Sequence, residues 1–255
     1  MSDLKFKQIV ILITFCFSLS CKQEKGRLSE IKGQQIQIDA TQESMDSIDS
    51  FVAPFRNRIN QVLDSTLAYA PQSFLLDDGP HNTSMGNLMA DIVLEETRPL
   101  FKTRTGNDLD FVVLNYGGVR SIISAGNVSA RNAFEVMPFE NYISVVEMSG
   151  TAVRELITFL INASRVHPIA GMQIVLDKRG SLESVNINGS PFDETRSYFV
   201  ATSDYLVQGG ASTGFFKDTL ATFDTGYLLR NAIIDHFKKV DTLKASVDDR
   251  FIQLD

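Results

Sequence analysis

The sequence predicts a mixed α/β (α+β) fold, because strand-like and helix-like apolar patterns alternate along it. The continuous apolar run over residues 111–114 is typical of a strand buried on both faces. Helical spacing of apolar residues predicts four amphipathic helices, over residues 48–63, 85–93, 153–161 and 229–237. The connections between these segments are of both hairpin and crossover length, which favours strands and helices packed in layers.

The N-terminal elements are predicted from local patterns. Residues 34–39 alternate polar side chains with Ile36 and Ile38, as a half-buried strand does. The helix over 48–63 contains Pro54, which predicts that the helix starts near this proline or kinks there. Ser84 stands directly before the apolar stripe of the next helix and is a suitable N-cap residue.

The second half of the chain adds further strands and two helices. Residues 142–148 predict a strand, and a helix opens at 149–150. Three more strands are predicted, over residues 172–176, 183–187 and 198–202. A turn at 177–180 joins the first two of them, and residues 251–254 predict a last short strand after the helix over 229–237.

Composition excludes several functional classes. The chain has 255 residues, of which 44% are hydrophobic and 22% charged, as in globular proteins. The formal net charge is −7 and there is no basic run, which argues against nucleic acid as a partner. Two cysteines and three histidines leave few ligands for a metal cluster, so we expect no cofactor in this chain.

Residues 1–20 are predicted to be a lipoprotein signal peptide. Lys5 and Lys7 precede an apolar run over 9–17, which is too short to span a bilayer and has the length of a signal-peptide core. Small residues then precede Cys21, the expected lipidation site, and the polar residues 21–33 are typical of a tether. An ordinary secretory signal with a chance cysteine, or a buried N-terminal strand, is the alternative.

These boundaries leave residues 34–255 as a single domain. If Cys21 carries lipid and Cys16 leaves with the signal, the mature domain has no free thiol and no disulfide. We expect the lipid to hold the domain in the cell envelope, on the periplasmic or outer-membrane side, as its only contact with a membrane.

Three segments carry residues that a plain scaffold does not require. The strand over 111–114 is followed by Asn115, Gly117, Gly118 and Arg120. Glycines permit close approach of the backbone to a ligand, and a guanidinium suits a phosphate or a carboxylate. Taken alone, this segment is more simply a strand-to-loop turn with a surface arginine.

The other two segments place an aromatic residue beside polar ones. Phe139 and Asn141 present a ring for stacking and an amide for base edges, or form a hydrophobic plug before the next strand. Tyr205 precedes a hydroxyl-rich loop that contains Gly209, Gly210 and Ser212. This third segment is a pocket wall or only a helical turn and a tight loop. Two facing aromatics, paired glycines and a strand-end arginine are together the parts of a pocket for an aromatic, phosphorylated ligand.

In this order, the three segments resemble the C-terminal domain of the periplasmic and cell-surface 5′-nucleotidases. That family shows Asn-x-Gly-Gly-Ile-Arg, then Pro-Phe-Gly-Asn, then a Phe followed by Gly-Gly-Asp-Gly. The matching segments here are residues 115–120, 138–141 and 205–214. Residues 84–91 also resemble the opening helix of the family, so the resemblance spans roughly 48–239. It implies a four-layer α/β/β/α domain that supplies the substrate-specificity pocket.

The resemblance also implies a role for each matching residue. Asn115 corresponds to the asparagine that contacts the base, and Arg120 to an arginine that holds phosphate. Phe139 and Tyr205 correspond to the two aromatics that sandwich the base, with Asn141 as the neighbouring amide. The phenol of Tyr205 keeps the stacking face and adds a hydroxyl that needs a partner.

Three departures from the family pattern bear on the ligand. Ala211 replaces the acid that binds ribose hydroxyls, and Ser212 or Thr213 would be a weaker substitute. Glu140 replaces a glycine and adds negative charge near the pocket. His81 falls near the place of a family arginine and is a cation only when protonated. These changes favour a nucleoside or another aromatic ligand over a nucleotide.

The intact enzymes of this family also carry an N-terminal metallophosphatase domain. Its two metals are held by Asp-x-His, Gly-Asn-His-Glu/Asp and Gly-His-x-His motifs, none of which occurs in this sequence. His81, His167 and His236 lack metal-ligand spacing. We therefore expect the nucleotide- or nucleoside-binding half of a split 5′-nucleotidase, inactive alone, whose partner metallophosphatase holds divalent metals. A stand-alone nucleoside- or nucleotide-binding lipoprotein, or an interaction module with a decayed pocket, is the alternative.

Overall fold

A computed structural model describes residues 28–39 and 45–255, except for the side chain of Ser212. The chain divides into two compact units, Met1–Ser50 and Phe51–Asp255. The predicted signal peptide, Cys21 and residues 22–27 of the predicted tether lie outside the described residues.

The strand predicted over residues 34–39 is not formed. Residues 28–38 are irregular and exposed, and Ile36 and Ile38 are 74% and 88% exposed. An alternating pattern makes a strand only where a neighbouring strand pairs with it and a core covers its apolar face. The expectation was wrong because these two isoleucines have no such cover.

Six α-helices and eleven strands form the described part of the chain. The helices are α1 Asp46–Leu63, α2 Ser84–Thr105, α3 Ala130–Val136, α4 Gly150–Asn162, α5 Asp204–Val207 and α6 Leu229–Lys239. The first six strands are β1 Thr66–Ala70, β2 Phe111–Val113, β3 Gly126–Ser129, β4 Tyr142–Ser149, β5 Ile169–Ala170 and β6 Met172–Leu176. The others are β7 Leu182–Ile187, β8 Ser190–Pro191, β9 Ser197–Ser203, β10 Ala221–Leu228 and β11 Phe251–Gln253. No helix in these ranges is long and apolar enough to cross a membrane.

The strands form three sheets. A five-stranded sheet has the order β10-β4-β9-β2-β5, with β2 and β9 parallel and every other neighbouring pair antiparallel. A four-stranded sheet has the order β11-β6-β7-β8, with β11 and β6 parallel. Strands β1 and β3 pair by themselves as an antiparallel ribbon. Because β2 and β9 are parallel, their carboxyl ends lie at the same end of the five-stranded sheet, although the two strands are far apart in sequence.

Both faces of the five-stranded sheet are covered by hydrophobic cores. One face contributes Val112, Ile143 and Val145 to a core shared with α2 and α6. The opposite face contributes Phe111, Val146 and Val200 to a second core shared with α4 and the four-stranded sheet. Helical and sheet layers thus enclose two cores, which confirms the predicted mixed α/β class.

The structure excludes one of the two alternatives for α1 and corrects the N-cap expected for α2. Helix α1 runs from Asp46 through Pro54 to Leu63, so it does not start at the proline. The N-cap of α2 is Thr83 rather than Ser84, because the Thr83 hydroxyl accepts the backbone N–H of Gly86 at 3.1 Å. The Ser84 hydroxyl instead accepts the backbone N–H of Leu75 at 2.8 Å.

The C-terminal end of helix α1 contacts helix α3 through polar side chains. Arg131 donates to Asn60 Oδ1 at 3.0 Å and forms an ion pair with Asp64, so α3 holds the end of α1. The large apolar side chains of α1 are left outside, and Phe51 and Phe55 are 71% and 61% exposed.

Candidate functional site

Three chain segments meet at one end of the five-stranded sheet. Since β2 and β9 are parallel neighbours, the segments after Val113 and Ser203 leave the sheet at the same end. Strand β4 runs antiparallel to β9 and pairs Ile143 with Ser203, so the segment before β4 arrives there too. The sheet topology therefore brings together the three sequence segments that were singled out, although about 90 residues separate the first from the last.

A cavity of about 260 Å³ lies where these segments meet. Its lining residues are Asn115, Gly117, Gly118, Phe139, Asn141 and Tyr205. Phe139 and Tyr205 are 43% and 46% exposed, so both aromatic residues are accessible from the cavity. All six lining residues are among the ten binding residues predicted from the sequence.

The amide of Asn115 is held against two glycines. Asn115 is 9% exposed and begins a 3₁₀ turn over Tyr116–Gly118. A Cβ atom at position 118 would lie 3.0 Å from Asn115 Oδ1, so glycine at this position leaves room for the amide. Within residues 45–255, the side-chain amides of Asn115 and Asn141 make no hydrogen bond, and both are available to a ligand in the cavity.

Tyr205 lies in the first turn of α5, which the Ser203 hydroxyl caps. Gly210 packs directly on its ring, because a Cβ atom at that position would come within 2.4 Å of Tyr205 Cζ. Gly209 has a different role, since its φ of 91° lies in the left-handed region and reverses the chain. Thr213 Oγ1 closes the loop by hydrogen bonds to the carbonyl oxygens of Leu206 and Gly210, at 2.9 and 2.7 Å.

Arg120 lies beside the cavity and does not line it. Its side chain is exposed, and its Nη1 lies 3.4 Å from the carbonyl oxygen of Gly117, which does line the cavity. Gly209 and Gly210 also lie outside the lining, and the side chain of Ser212 is not described. Six of the ten predicted residues therefore line the cavity, and Arg120 contacts the lining only at the carbonyl oxygen of Gly117.

The residues that depart from the family pattern have distinct surroundings. The Glu140 side chain is 82% exposed, and its Oε1 lies 3.6 Å from Arg230 Nη2, so an arginine offsets its charge. Ala211 has a φ of 53°, a left-handed conformation that alanine rarely adopts. His81 stacks on Phe251, with ring centroids 5.0 Å apart, and is not among the residues that line the cavity.

Burial lowers the pKa of each of the two other histidines. His167 Nδ1 lies 3.3 Å from the carbonyl oxygen of Leu114, directly before Asn115, and burial lowers the pKa of its imidazole. Burial also lowers the pKa of His236, against the opposing effect of Glu95 and Glu96. The side chain of His236 is 12% exposed. Neither histidine lines the cavity.

Sequence reasoning missed Arg230, which lies beneath the segment that carries Phe139. The residue follows β10, a strand that the apolar pattern did not predict, and it reaches this segment only because β10 pairs with β4. Its guanidinium donates to the backbone carbonyl oxygens of Met137, Pro138 and Phe139, at 3.2–3.4 Å. No short motif marks such a residue.

The arrangement is suited to binding a planar ligand. Half-exposed rings supply stacking surfaces, and unpaired amides supply donors and acceptors for polar edges. Among the residues that the structure describes, no three His, Cys, Asp or Glu side chains are placed to hold a metal ion.

Fold and cavity together define a ligand-binding α/β domain. A sequence profile described as "5′-nucleotidase, C-terminal domain" matches residues 71–218, more than half of the chain. The chain therefore belongs to the family of 5′-nucleotidase C-terminal domains.

Curated relatives and solved structures agree with this assignment. The chain is 28% identical over 171 residues to protein UshA of Escherichia coli, covering 65% of this chain and 29% of UshA. It is 26% identical over 180 residues to cell wall protein Lmo0130 of Listeria monocytogenes, covering 64% of this chain and 23% of that protein. A 5′-nucleotidase precursor from Thermus thermophilus superposes with a TM-score of 0.68 at 20% identity, covering 82% of this chain and 43% of that one. The chain thus spans less than a third of the curated relatives named here.

Proposed function

We propose that this chain is the substrate-binding half of a split bacterial 5′-nucleotidase, which binds a nucleoside or nucleotide by base stacking. The observation that carries the proposal is the cavity itself. Two half-exposed rings, Phe139 and Tyr205, line it together with the unpaired amides of Asn115 and Asn141. Stacking between aromatic rings accepts any base, and amides can pair with base edges.

The surroundings of the cavity support both a nucleoside and a nucleotide as ligand. The carboxylate of Glu140 is paired with Arg230, which reduces its repulsion of a phosphate. Arg120, at the cavity edge, would hold a phosphate that projects from the cavity. Ala211 offers no acceptor for ribose hydroxyls, so the base is expected to supply most of the affinity.

Hydrolysis in this proposal comes from a separate metallophosphatase. That partner would carry the metal-binding motifs of the metallophosphatase domain. It would therefore supply the two divalent metals and the activated water. The motifs that hold those metals do not occur in these 255 residues. This chain would orient the substrate and would not be active alone.

A place in the cell envelope fits the same proposal. One relative is a cell wall protein, and the sequence predicts a signal peptide that ends before Cys21. We infer a lipid anchor on Cys21, on the periplasmic or outer-membrane side. A nucleotide that has not crossed the inner membrane would be the natural substrate at that place.

A second candidate is a stand-alone nucleoside- or nucleotide-binding lipoprotein. It is favoured by the fact that all six residues that line the cavity come from one chain, so binding requires no partner. The two candidates differ in one respect only, which is the effect of a metallophosphatase on turnover.

Calorimetry with adenosine and AMP tests the binding function. Phe139→Ala and Tyr205→Ala should each weaken binding by ~1–3 kcal/mol, the contribution of one stacked ring. Tyr69→Ala is a matched control, because Tyr69 is 48% exposed and lies on β1, outside the cavity lining. If the protein is folded and gives no binding heat with either compound, both binding hypotheses fail. The remaining alternative is then an interaction module with a decayed pocket.

The need for a partner is tested by mixing this chain with a secreted metallophosphatase that lacks such a domain. The phosphatase to use is one encoded by a gene next to the gene for this chain. Under the split-enzyme proposal, AMP hydrolysis rises when the two proteins are mixed, and Phe139→Ala raises KM. Unchanged hydrolysis, with AMP binding intact, would favour the stand-alone binding protein.

A further inference from the structure

Arg230 occupies an unusual position for a charged side chain. It is the second residue of α6 and is only 7% exposed. Buried arginines are rare unless their donors are paired, and among the described residues the buried Nε of Arg230 has no hydrogen-bond partner, so its contacts come from the two terminal nitrogens. Its guanidinium lies 4.3 Å from the ring centroid of Phe134, and its Nη2 lies 3.6 Å from Glu140 Oε1. The chain therefore holds a cation directly beneath the segment that presents Phe139.

The acceptors of this cation are the backbone carbonyl groups of the segment that follows helix α3. The helix ends at Val136 with Met137 as its C-cap, so the carbonyls of Met137, Pro138 and Phe139 lie just beyond it. Arg230 Nη1 lies 3.4, 3.2 and 3.3 Å from the carbonyl oxygens of Met137, Pro138 and Phe139. One guanidinium nitrogen thus serves three successive residues up to Phe139.

Leu229, the residue before Arg230, holds the other end of the segment over residues 137–141. The backbone N–H of Leu229 donates to the carbonyl oxygen of Asn141 at 2.9 Å. Consecutive residues of α6 therefore fix residues 137–139 and Asn141. Because Phe139 and Asn141 both line the cavity, the position of α6 sets the position of one cavity wall.

We propose that Arg230 is a positioning residue that holds the segment over residues 137–139, and with it the ring of Phe139, in place for ligand binding. The inference rests on the proposed function for its effect on affinity, but its effect on the ring is independent of any ligand. Lysine does not reproduce these contacts, because its single ammonium nitrogen cannot lie flat on the ring of Phe134, reach the three carbonyl oxygens and also approach Glu140, as the two terminal guanidinium nitrogens do together.

A single tryptophan at position 139 reports the exposure and the motion of the ring at the cavity wall. The sequence contains no tryptophan, so Phe139→Trp in the full chain creates one fluorophore at the cavity wall. Iodide quenching and time-resolved anisotropy then report the exposure and the local motion of that ring without ligand. Combining this reporter with Arg230→Lys should increase both quenching and local motion.

The matched control is Arg250→Lys. Arg250 is also largely buried and also donates to a carbonyl oxygen, that of Ile169 at 2.8 Å, but it pairs with Asp91 and Asp248 outside the cavity lining. This variant should lower the Tm and leave the quenching at position 139 unchanged. Equal quenching in the Arg230→Lys and unsubstituted reporter proteins would overturn the inference.

A milder variant covers the case in which Arg230→Lys does not fold. Phe134→Leu removes the ring under the guanidinium but keeps every donor, and Phe134 is 41% exposed, so the core is little disturbed. It should also increase quenching at position 139, and no change there would contradict the proposal.

Adenosine binding to the chain with Phe139 intact provides the second measurement. Arg230→Lys should weaken it on the order of tenfold, since charge-assisted hydrogen bonds to the cavity wall are lost. If the ring loosens and the unsubstituted chain binds no adenosine, the proposed function fails while the positioning role stands. If adenosine binds and Arg230→Lys leaves its affinity unchanged, the positioning role is refuted.

Discussion

Gly210 lies so close to the ring of Tyr205 that no side chain fits between them. An added Cβ atom would come within 2.4 Å of Cζ and 2.5 Å of Cε1. One face of the ring is therefore covered by backbone, and the ring is fixed by contact with the loop that follows it. The paired glycines consequently have separate roles, since Gly209 turns the chain and Gly210 supports the ring.

Gly210→Ala is expected to weaken ligand binding with little loss of stability. The added methyl group must push the ring of Tyr205 away, and the ring is 46% exposed and can move. Calorimetry with adenosine should show a loss of ~1–3 kcal/mol, comparable to removing the ring. Gly214→Ala is the control, because a Cβ atom there has no neighbour within 4 Å. Equal affinity in the two variants would contradict the role of Gly210.

Ala211→Asp should increase the preference for a ligand with a ribose. The residue has a φ of 53°, a conformation that aspartate tolerates better than alanine. A carboxylate at this position would accept ribose hydroxyls, as the resemblance implies, and charged hydrogen bonds contribute about 1.5–3 kcal/mol. The measurement is the ratio of the Kd values for adenine and adenosine, with Ala211→Asn as the uncharged control. A ratio that both substitutions leave unchanged would place position 211 away from the sugar.

Stability should fall as the pH falls below about 6.5, the ordinary pKa of histidine. Burial lowers the pKa of His167, so the unfolded chain binds a proton at a higher pH than the folded chain does. Folding then opposes protonation, and each such proton changes the free energy of unfolding by at most about 1.4 kcal/mol per pH unit. Urea denaturation at pH 7.5 and 5.5 should show a smaller difference for His167→Gln than for the unsubstituted chain.

The pH prediction has an internal check. His236 has a pKa lowered by burial as well, so the single substitution should reduce the pH dependence and the double substitution should reduce it further. An identical pH dependence in the unsubstituted chain and in the double variant would show that neither imidazole is responsible.

Thr83→Ala should lower the free energy of unfolding by about 1 kcal/mol, because it removes the N-cap of α2. The Thr83 hydroxyl accepts the N–H of Gly86 at 3.1 Å, and the residue is buried. Thr83→Ser keeps the acceptor and should retain most of the stability in chemical denaturation. If the serine variant is as unstable as the alanine variant, the lost methyl group, and not the cap, explains the effect.

The strands that bury large apolar residues could be predicted from the sequence. Strand β6 has the predicted bounds, β7 begins one residue earlier than predicted, and β9 extends one residue further at each end. Strand β10 was missed because it lies at an edge of its sheet and carries polar residues such as Asp224. An apolar pattern reports burial, and an edge strand has little of it. The strand predicted over 34–39 was wrong for a related reason. Its alternating apolar pattern is present, but no core covers Ile36 and Ile38.

The cavity could be predicted further than most of the fold. Motif resemblance identified all six lining residues, because a binding site depends on particular side chains at fixed spacings. It could not place Arg120 beside the cavity instead of within it, since that depends on the local turn. Nor could it find Arg230, whose contact with the loop over 137–139 depends on β10 lying next to β4.

The convergence of three loops at one end of the five-stranded sheet has an evolutionary consequence. The six lining residues belong to neither core, although their neighbours Val119, Met137 and Leu206 do. Substitutions confined to the lining residues should therefore change ligand preference at little cost in folding. Descendants of such a domain can diverge rapidly in ligand while retaining one scaffold. Grafting the same three loops from a relative is the corresponding route to a binding protein of altered specificity.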